Sequence, residues 1–286
     1  MTPFNINLDS KIKILEAHSG LSALLINNYS KNNRHNNGFD GIWVSSLTET
    51  ASKGIPDNEI IGFESRVHLV AEMRHVSELP IIVDMDTGGT PEQLAYRIEA
   101  LARLNVAAIV IEDKVFPKKN SFSDAHQQLE DTAVFCRKIE LAKSLQTNGS
   151  PLVVARLEGL ILGLPLENVL QRALQFTKAG ADAILIHSKQ KKPDEVLEFA
   201  LQFKKICIST PLVCIPTTYN CIADTELFEA GFNLIIHANH LLRASMFAMD
   251  NAIKTIARNG SSFALEPLIS PISDVIKITE TKKSRP

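Results

Sequence analysis

Eight short apolar runs recur along the chain, each separated from the next by a longer segment, several of them helical in period. This alternation restricts the fold more than any other feature. The runs span residues 14–17, 41–45, 80–84, 107–112, 152–156, 183–187, 212–215 and 234–237. They are apolar throughout rather than at every second position, which is the pattern of strands buried on both faces of a parallel sheet. A count of eight favours a closed (β/α)8 barrel of the TIM type over an open doubly wound sheet, and 286 residues suffice for one such barrel. The expected organisation is a single α/β domain over residues 1–286, with a lid at about 113–131 and C-terminal helices at about 240–278.

The helical segments carry their own signals. At residues 90–104, Thr90 can cap, Pro91 fits the first helical position, Gln93 completes a capping box, and Leu94, Ile98, Leu101 and Ala102 form an apolar face. Similar patterns cover 166–179, 194–203 and 241–257, and Ala179-Gly180 supplies a stop. The long polar segment 113–131 predicts a lid, and 48–58 a second mobile connection.

Several function classes are excluded. No Gly-x-Gly-x-x-Gly follows the first strand and no Gly-x-x-x-x-Gly-Lys-Ser/Thr loop exists, so dinucleotide and P-loop readings lack support. A net charge of -2 offers no basic excess for nucleic acid, so any bound anion must meet locally placed cations. No stretch approaches eighteen apolar residues and the N-terminus lacks a leader pattern, so a cytoplasmic protein without membrane partners is expected. Cys136, Cys207, Cys214 and Cys221 form no Cys-x-x-Cys pair and read as reduced packing residues.

In a barrel of this kind the chemistry sits at the C-terminal strand ends. Those ends are polar here: Trp43-Val44-Ser45-Ser46-Leu47, Asp84-Met85-Asp86, Glu112-Asp113-Lys114, Arg156-Leu157-Glu158 and His187-Ser188-Lys189. Asp84 and Asp86 alternate with Met85 and would share one side of an extended segment, with Glu112 on the neighbouring strand. Three such carboxylates suit a hard cation such as Mg2+. An Asp before Thr-Gly-Gly is also a common turn former. Arg156 and His187 stand where a phosphoryl or carboxylate group would project, although a strand-end histidine is often structural. Ser45 and Ser46 with the turn N–H groups could cradle an oxyanion. Trp43 reads either as a core cap or as part of that cradle. His18, His237 and His240 read as structural, and His35, His68, His75 and His126 as surface residues.

The residue strings carry a resemblance. Glu16-Ala17-His18-Ser19-Gly20-Leu21-Ser22, Gly38-Phe39-Asp40-Gly41-Ile42-Trp43, Asp84-Met85-Asp86-Thr87-Gly88-Gly89, Pro216-Thr217-Thr218-Tyr219-Asn220 and Ala238-Asn239-His240 resemble the phosphoenolpyruvate mutases of the isocitrate lyase superfamily. The most specific match is Glu-Asp-Lys, five variable positions, then Asn-Ser, here Glu112-Asp113-Lys114 and Asn120-Ser121. Lyase members carry a catalytic cysteine in the lid, and this chain has no cysteine before Cys136. Two departures stand out: Glu59-Ile60-Ile61-Gly62-Phe63 after Asp57-Asn58, and His237 where an aromatic residue is usual.

The resemblance implies the interconversion of phosphoenolpyruvate and 3-phosphonopyruvate, the entry to phosphonate biosynthesis. It implies Mg2+ on Asp84, with Asp86 and Glu112 acting through its waters, and pyruvyl oxygens held at Trp43, Ser45, Ser46 and Leu47. It further implies a phosphoryl group met by Arg156 and His187, Lys118 and Asn120 arriving with the lid, and Asp57 beside the migrating phosphorus as nucleophile or guide. A homo-oligomer, most simply a tetramer, goes with it. The alternatives are a phosphonopyruvate hydrolase, whose lid carries threonine in place of Asn120, and a non-catalytic oxyacid-binding barrel.

Overall fold

The computed structural model describes residues 4–33, 38–123, 125–147 and 150–280. The chain runs β1 (Ile12–Glu16), α1 (Gly20–Asn32), β2 (Gly41–Val44), α2 (Ser46–Ser52), α3 (Phe63–Val76), β3 (Ile81–Asp84) and α4 (Pro91–Arg103). It continues β4 (Ala108–Glu112), α5 (Thr132–Ser144), β5 (Leu152–Leu157), α6 (Leu166–Lys178), β6 (Ala183–Ile186) and α7 (Asp194–Ile206). Then come β7 (Leu212–Cys214), α8 (Asp224–Glu229), β8 (Leu234–His237), α9 (His240–Asn259), a 3-10 turn (Glu266–Leu268) and α10 (Ile272–Glu280). All eight strands are parallel and close in sequential order, with β1 paired to both β2 and β8. The fold is the (β/α)8 barrel expected from the sequence.

Strand alternation sorts the apolar side chains into two packed groups. Ile14, Trp43, Ile82, Ala108, Val110, Val154, Leu185, Val213, Leu234 and Ile236 fill the barrel interior, closed off by Ile6. Their neighbours, including Ile42, Val83, Ile109, Ile111, Ala155, Ile184 and Ile235, pack outward with Leu94, Ile98, Phe135, Phe176, Phe199 and Phe203 from the helices. Each aliphatic or Phe side chain so buried contributes about 1.5–3 kcal/mol, which is why runs apolar at every position are required. The same parity carries upward. Asp84, Glu112, Arg156 and His187 follow the interior-facing Ile82, Val110, Val154 and Leu185 by two residues, so they continue the inward-facing rows at the C-terminal mouth.

The α4 signals are realised: Thr90 Oγ1 accepts from Gln93 N, the reciprocal bond is present, and Leu94, Ile98 and Leu101 are buried. The expected mobile connection at 48–58 is corrected in its first half, because residues up to Ser52 continue α2, with Thr48, Glu49 and Thr50 buried. Irregular backbone begins only at Lys53. The described residues of the lid segment, 113–123 and 125–131, are irregular as expected. Its two stems are tied by a bridge between Lys114 and Leu129, with Val115 N donating to Gln128 O and Glu130 N to Asp113 O.

Contacts divide the chain into one unit up to Leu241 and another from Leu242 onward. In the second, Met246, Phe247, Met249, Ile253, Phe263, Leu268 and Ile272 are exposed. All four cysteines are free; Cys214 lies in the outer core and Cys207 packs against it. Among the described residues no helix is long and apolar enough to cross a membrane. His35 and the tail lysines Lys282 and Lys283 lie outside the described residues.

Candidate active site

Ten of the twelve residues singled out from the sequence line one cavity at the barrel mouth: Trp43, Ser45, Ser46, Leu47, Asp57, Asp84, Lys118, Asn120, Arg156 and His187. Asp86 and Glu112 stand behind that surface, both buried. Side chains separated by up to 144 positions in sequence thus converge because strand parity and loop closure bring them together.

The lid supplies Lys118 and Asn120. Lys118 Nζ lies 2.7 Å from Asp86 Oδ1, 3.1 Å from Asp57 Oδ2 and 2.8 Å from Ser46 Oγ. Asn120 Nδ2 donates to the same Asp57 Oδ2 at 2.7 Å, while Asp57 Oδ1 accepts no hydrogen bond. Burial alone would lower the Lys118 ammonium, but Asp86, Glu112, Asp57 and Asp84 outweigh it and hold the group charged, well above the usual lysine range. A permanent positive charge is thereby delivered to the cavity.

Asp86 does not continue the strand. Its backbone turns to φ 54°, so the extended alternation assumed from the sequence ends at Asp84. The turn is completed by Gly88 at φ 79°, in the left-handed region that glycine favours. Asp86 instead receives Arg66 Nη1 at 2.8 Å. Burial would raise its carboxyl, yet Lys118 and then Arg66 prevail and hold it well below the usual carboxylate range. Arg66 also donates to Asp84 O at 2.6 Å and to Glu49 Oε2 at 2.7 Å. Arg66 was not among the sequence candidates. Its signal was present: it occupies the buried face of α3 between Phe63 and Val70, where a charge requires partners.

Asp84 accepts from Ser46 Oγ at 3.2 Å and from Asp86 N at 3.1 Å, with Arg156 Nη1 3.6 Å away. Neither carboxylate oxygen of Glu112 accepts a hydrogen bond. Burial raises the Glu112 carboxyl, Lys118, Lys114 and Arg156 offset this in part, and the group is pushed up to about 8. A buried carboxylate that accepts no hydrogen bond and has Arg156 Nη2 3.7 Å from its Oε2 fits, together with Asp84, a hard cation between strands β3 and β4. Among the described residues no three His, Cys, Asp or Glu side chains are grouped to enclose an ion by themselves. Asp84 and Glu112 offer oxygen donors, the hard type that a divalent cation takes.

Glu158 is the hub on the opposite wall. Its Oε1 receives Arg156 Nε at 2.6 Å and faces His187 Nδ1 at 2.8 Å; its Oε2 receives Ser121 Oγ at 2.6 Å and lies 3.1 Å from Lys114 Nζ. Lys114 also reaches Lys119 O and Ser121 Oγ. The Lys and Ser of the Glu-Asp-Lys and Asn-Ser strings therefore fasten the lid to the barrel. Asp113 completes that stem by receiving Arg172 Nε at 2.8 Å. Burial would raise Glu158, but Arg156 and His187 hold it well below the usual range. His187 is lowered by burial, with Glu158 opposing. Its Nδ1 also lies 2.9 Å from Arg156 Nη2, and Phe122 of the lid packs edge-on to the ring at 5.5 Å.

His18 and His237 are structural, as read from the sequence: they pair with Glu16 and Asp224 respectively.

A lid-covered cavity at the C-terminal mouth of a (β/α)8 barrel, with a charged lysine and arginine facing buried carboxylates, defines an enzyme acting on a small molecule. Within that class the chain belongs to the phosphoenolpyruvate phosphomutase family, whose family model matches residues 7–257. It is 34% identical over 267 residues to a phosphoenolpyruvate phosphomutase of Tetrahymena pyriformis, covering 93% of this chain and 85% of that protein. The crystal structure of a phosphoenolpyruvate phosphomutase from Streptomyces platensis subsp. rosaceus superposes with a TM-score of 0.87 at 36% identity, covering 94% of this chain and 90% of that one. A phosphonopyruvate hydrolase in complex with oxalate and Mg2+ gives a TM-score of 0.84 at 30% identity, with coverage of 95% and 92%.

Proposed function

We propose that this chain is a phosphoenolpyruvate mutase, interconverting phosphoenolpyruvate and 3-phosphonopyruvate at the entry to phosphonate biosynthesis. The observation that carries this reading is Asn120 Nδ2 closed onto Asp57 Oδ2 beside Lys118, with Asp57 Oδ1 left without a protein donor.

The reaction breaks the C2–O–P linkage, forms a C3–P bond and turns C2 into a carbonyl, with no net proton change. It needs a held enolate, a stabilised phosphoryl fragment and a site without water. Trp43, Ser45, Ser46 and Leu47 take the pyruvyl oxygens. Arg156 and His187 hold the phosphoryl oxygens, and Glu158 Oε1, which receives Arg156 Nε and lies 2.8 Å from His187 Nδ1, orients both side chains. Lys118 neutralises charge developing between the two fragments. Asp57 stands at the phosphorus and Asn120 shields it from water. A divalent cation, Mg2+ in this reading, would be held by Asp84 with Asp86 and Glu112 beside it, and would supply charge neutralisation to the substrate oxygens.

The exposed apolar residues of α9 and α10 favour a homo-oligomer, and the resemblance suggests a tetramer. The deciding experiment supplies 3-phosphonopyruvate with Mg2+ and follows both products by phosphorus NMR. Phosphoenolpyruvate is the expected product; pyruvate with free phosphate as the main outcome transfers the chain to the hydrolase reading.

A further inference from the structure

Glu59 lies outside the substrate cavity, in the segment where this sequence departs from the mutase pattern, yet it joins three loops of the barrel mouth. Its Oε2 accepts the backbone N–H of Lys118 at 2.8 Å, and its Oε1 accepts Thr87 Oγ1 at 2.9 Å and Thr87 N at 3.3 Å. Thr87 is itself fixed from below, its carbonyl receiving Lys138 Nζ at 3.1 Å from α5. The loop between α2 and α3, the loop after β3 and the lid are thus pinned through one carboxylate.

The backbone at this point is in an uncommon conformation. Glu59 has φ 59°, a left-handed value that a long side chain adopts only where its surroundings enforce it. That conformation is what aims the carboxylate at both Thr87 and the lid. The bond to Lys118 is made to the backbone, not to the ammonium, so it sets where the strand of the lid lies. The ammonium of Lys118 and the amide of Asn120, two residues on, are placed accordingly against Asp57. Glu59 borders a second cavity, with Arg66, Arg97 and Asp86, on the far side of Asp57 from the substrate.

We propose that Glu59 is a positioning residue that latches the lid shut, fixing Lys118 and Asn120 over the phosphoryl group and keeping water out. The part of this inference that concerns products rests on the mutase reading; the part that concerns the lid does not.

The test uses Glu59→Ala and Glu59→Gln in the full chain, with two readouts. In ligand-free protein, trypsin cleavage after Lys118 and Lys119 reports lid opening; Glu59→Ala is expected to be cut at least tenfold faster than wild type, with Glu59→Gln between them because its amide retains one acceptor. With 3-phosphonopyruvate, Glu59→Ala is expected to lower kcat more than it changes KM and to raise the share of free phosphate, and Glu59→Gln to recover part of both. Unchanged cleavage and unchanged product share in Glu59→Ala overturn the latch. If Glu59→Ala lacks the wild-type circular dichroism spectrum, the comparison passes to Glu59→Gln, where wild-type cleavage and product share overturn it equally. Wild-type protein that releases mainly phosphate refutes the mutase reading instead, and the trypsin comparison then decides the latch alone.

Discussion

Asn120 of the lid and Asp57 of the loop between α2 and α3 meet at 2.7 Å, at the carboxylate oxygen that also receives Lys118. The two loops that cover the barrel mouth are thereby joined at the residue assigned to the migrating phosphorus. What sits at position 120 decides how completely the site is closed to water.

Replacing Asn120 by Ala or Thr should accordingly lower mutase turnover about tenfold to a hundredfold, the worth of one hydrogen bond to a charged group. The share of phosphate released should rise. Phosphorus NMR of the products checks both; a variant that partitions like wild type removes Asn120 from the water-excluding role.

Asp84→Ala should abolish turnover, by about a thousandfold or more, and remove Mg2+ binding measured by calorimetry, while the far-ultraviolet circular dichroism spectrum is retained. Full activity in metal-free buffer would dispose of the cation assignment.

The metal-free protein should hold Glu112 protonated up to about pH 8, because its carboxyl is raised by burial. Cation binding nearby must then expel that proton, so apparent Mg2+ affinity should fall as pH drops below 8, approaching about tenfold per unit. For stability the sign is opposite to that of an ordinary surface carboxylate. A folded-state value above the unfolded one favours the fold at low pH, and that contribution is lost as pH rises through about 8. Calorimetry in buffers of differing ionisation enthalpy, compared with Glu112→Gln, reads the proton release directly; equal release in both proteins refutes the assignment.

Arg66→Ala should cost about 3–5 kcal/mol of folding stability, since it leaves Glu49 and Asp86 buried without their shared partner. Urea denaturation measures this. A loss under about 1 kcal/mol would mean that water or Lys118 takes over the charge.

Much of the fold was legible because burial on both faces of every strand leaves a period-independent apolar run, and eight such runs permit few architectures. The short helices were harder. α2 carries Ser46, Thr48, Glu49 and Thr50 on its buried side, so polar residues packed against a polar site disguised it as a loop. Within the site, residues on strand ends or in the Glu-Asp-Lys and Asn-Ser strings could be found from position alone. Arg66 and Glu59 could not. Each acts across twenty or more residues of sequence, on Asp86 and on Lys118 respectively, and no local pattern encodes a partner that only tertiary closure provides. Glu158 was visible at a strand end, but its place as the common acceptor for Arg156, Ser121 and His187 depends on distances.

The seam of the barrel pairs Ile12 with Leu234 and Leu15 with His237. Strand β1 therefore cannot gain its second neighbour until more than two hundred further residues have been synthesised. Until then the nascent sheet has two open edges, and the interior row of Ile14, Trp43 and Ile82 faces a half-built cylinder. Asn233 waits at the far end of this interval: its side chain bonds Leu212 N and Leu8 O, and its carbonyl accepts Ile12 N. One asparagine thus ties Leu8 and Ile12 to the far side of the seam, so a truncation just before it would leave the barrel an unclosed, aggregation-prone sheet.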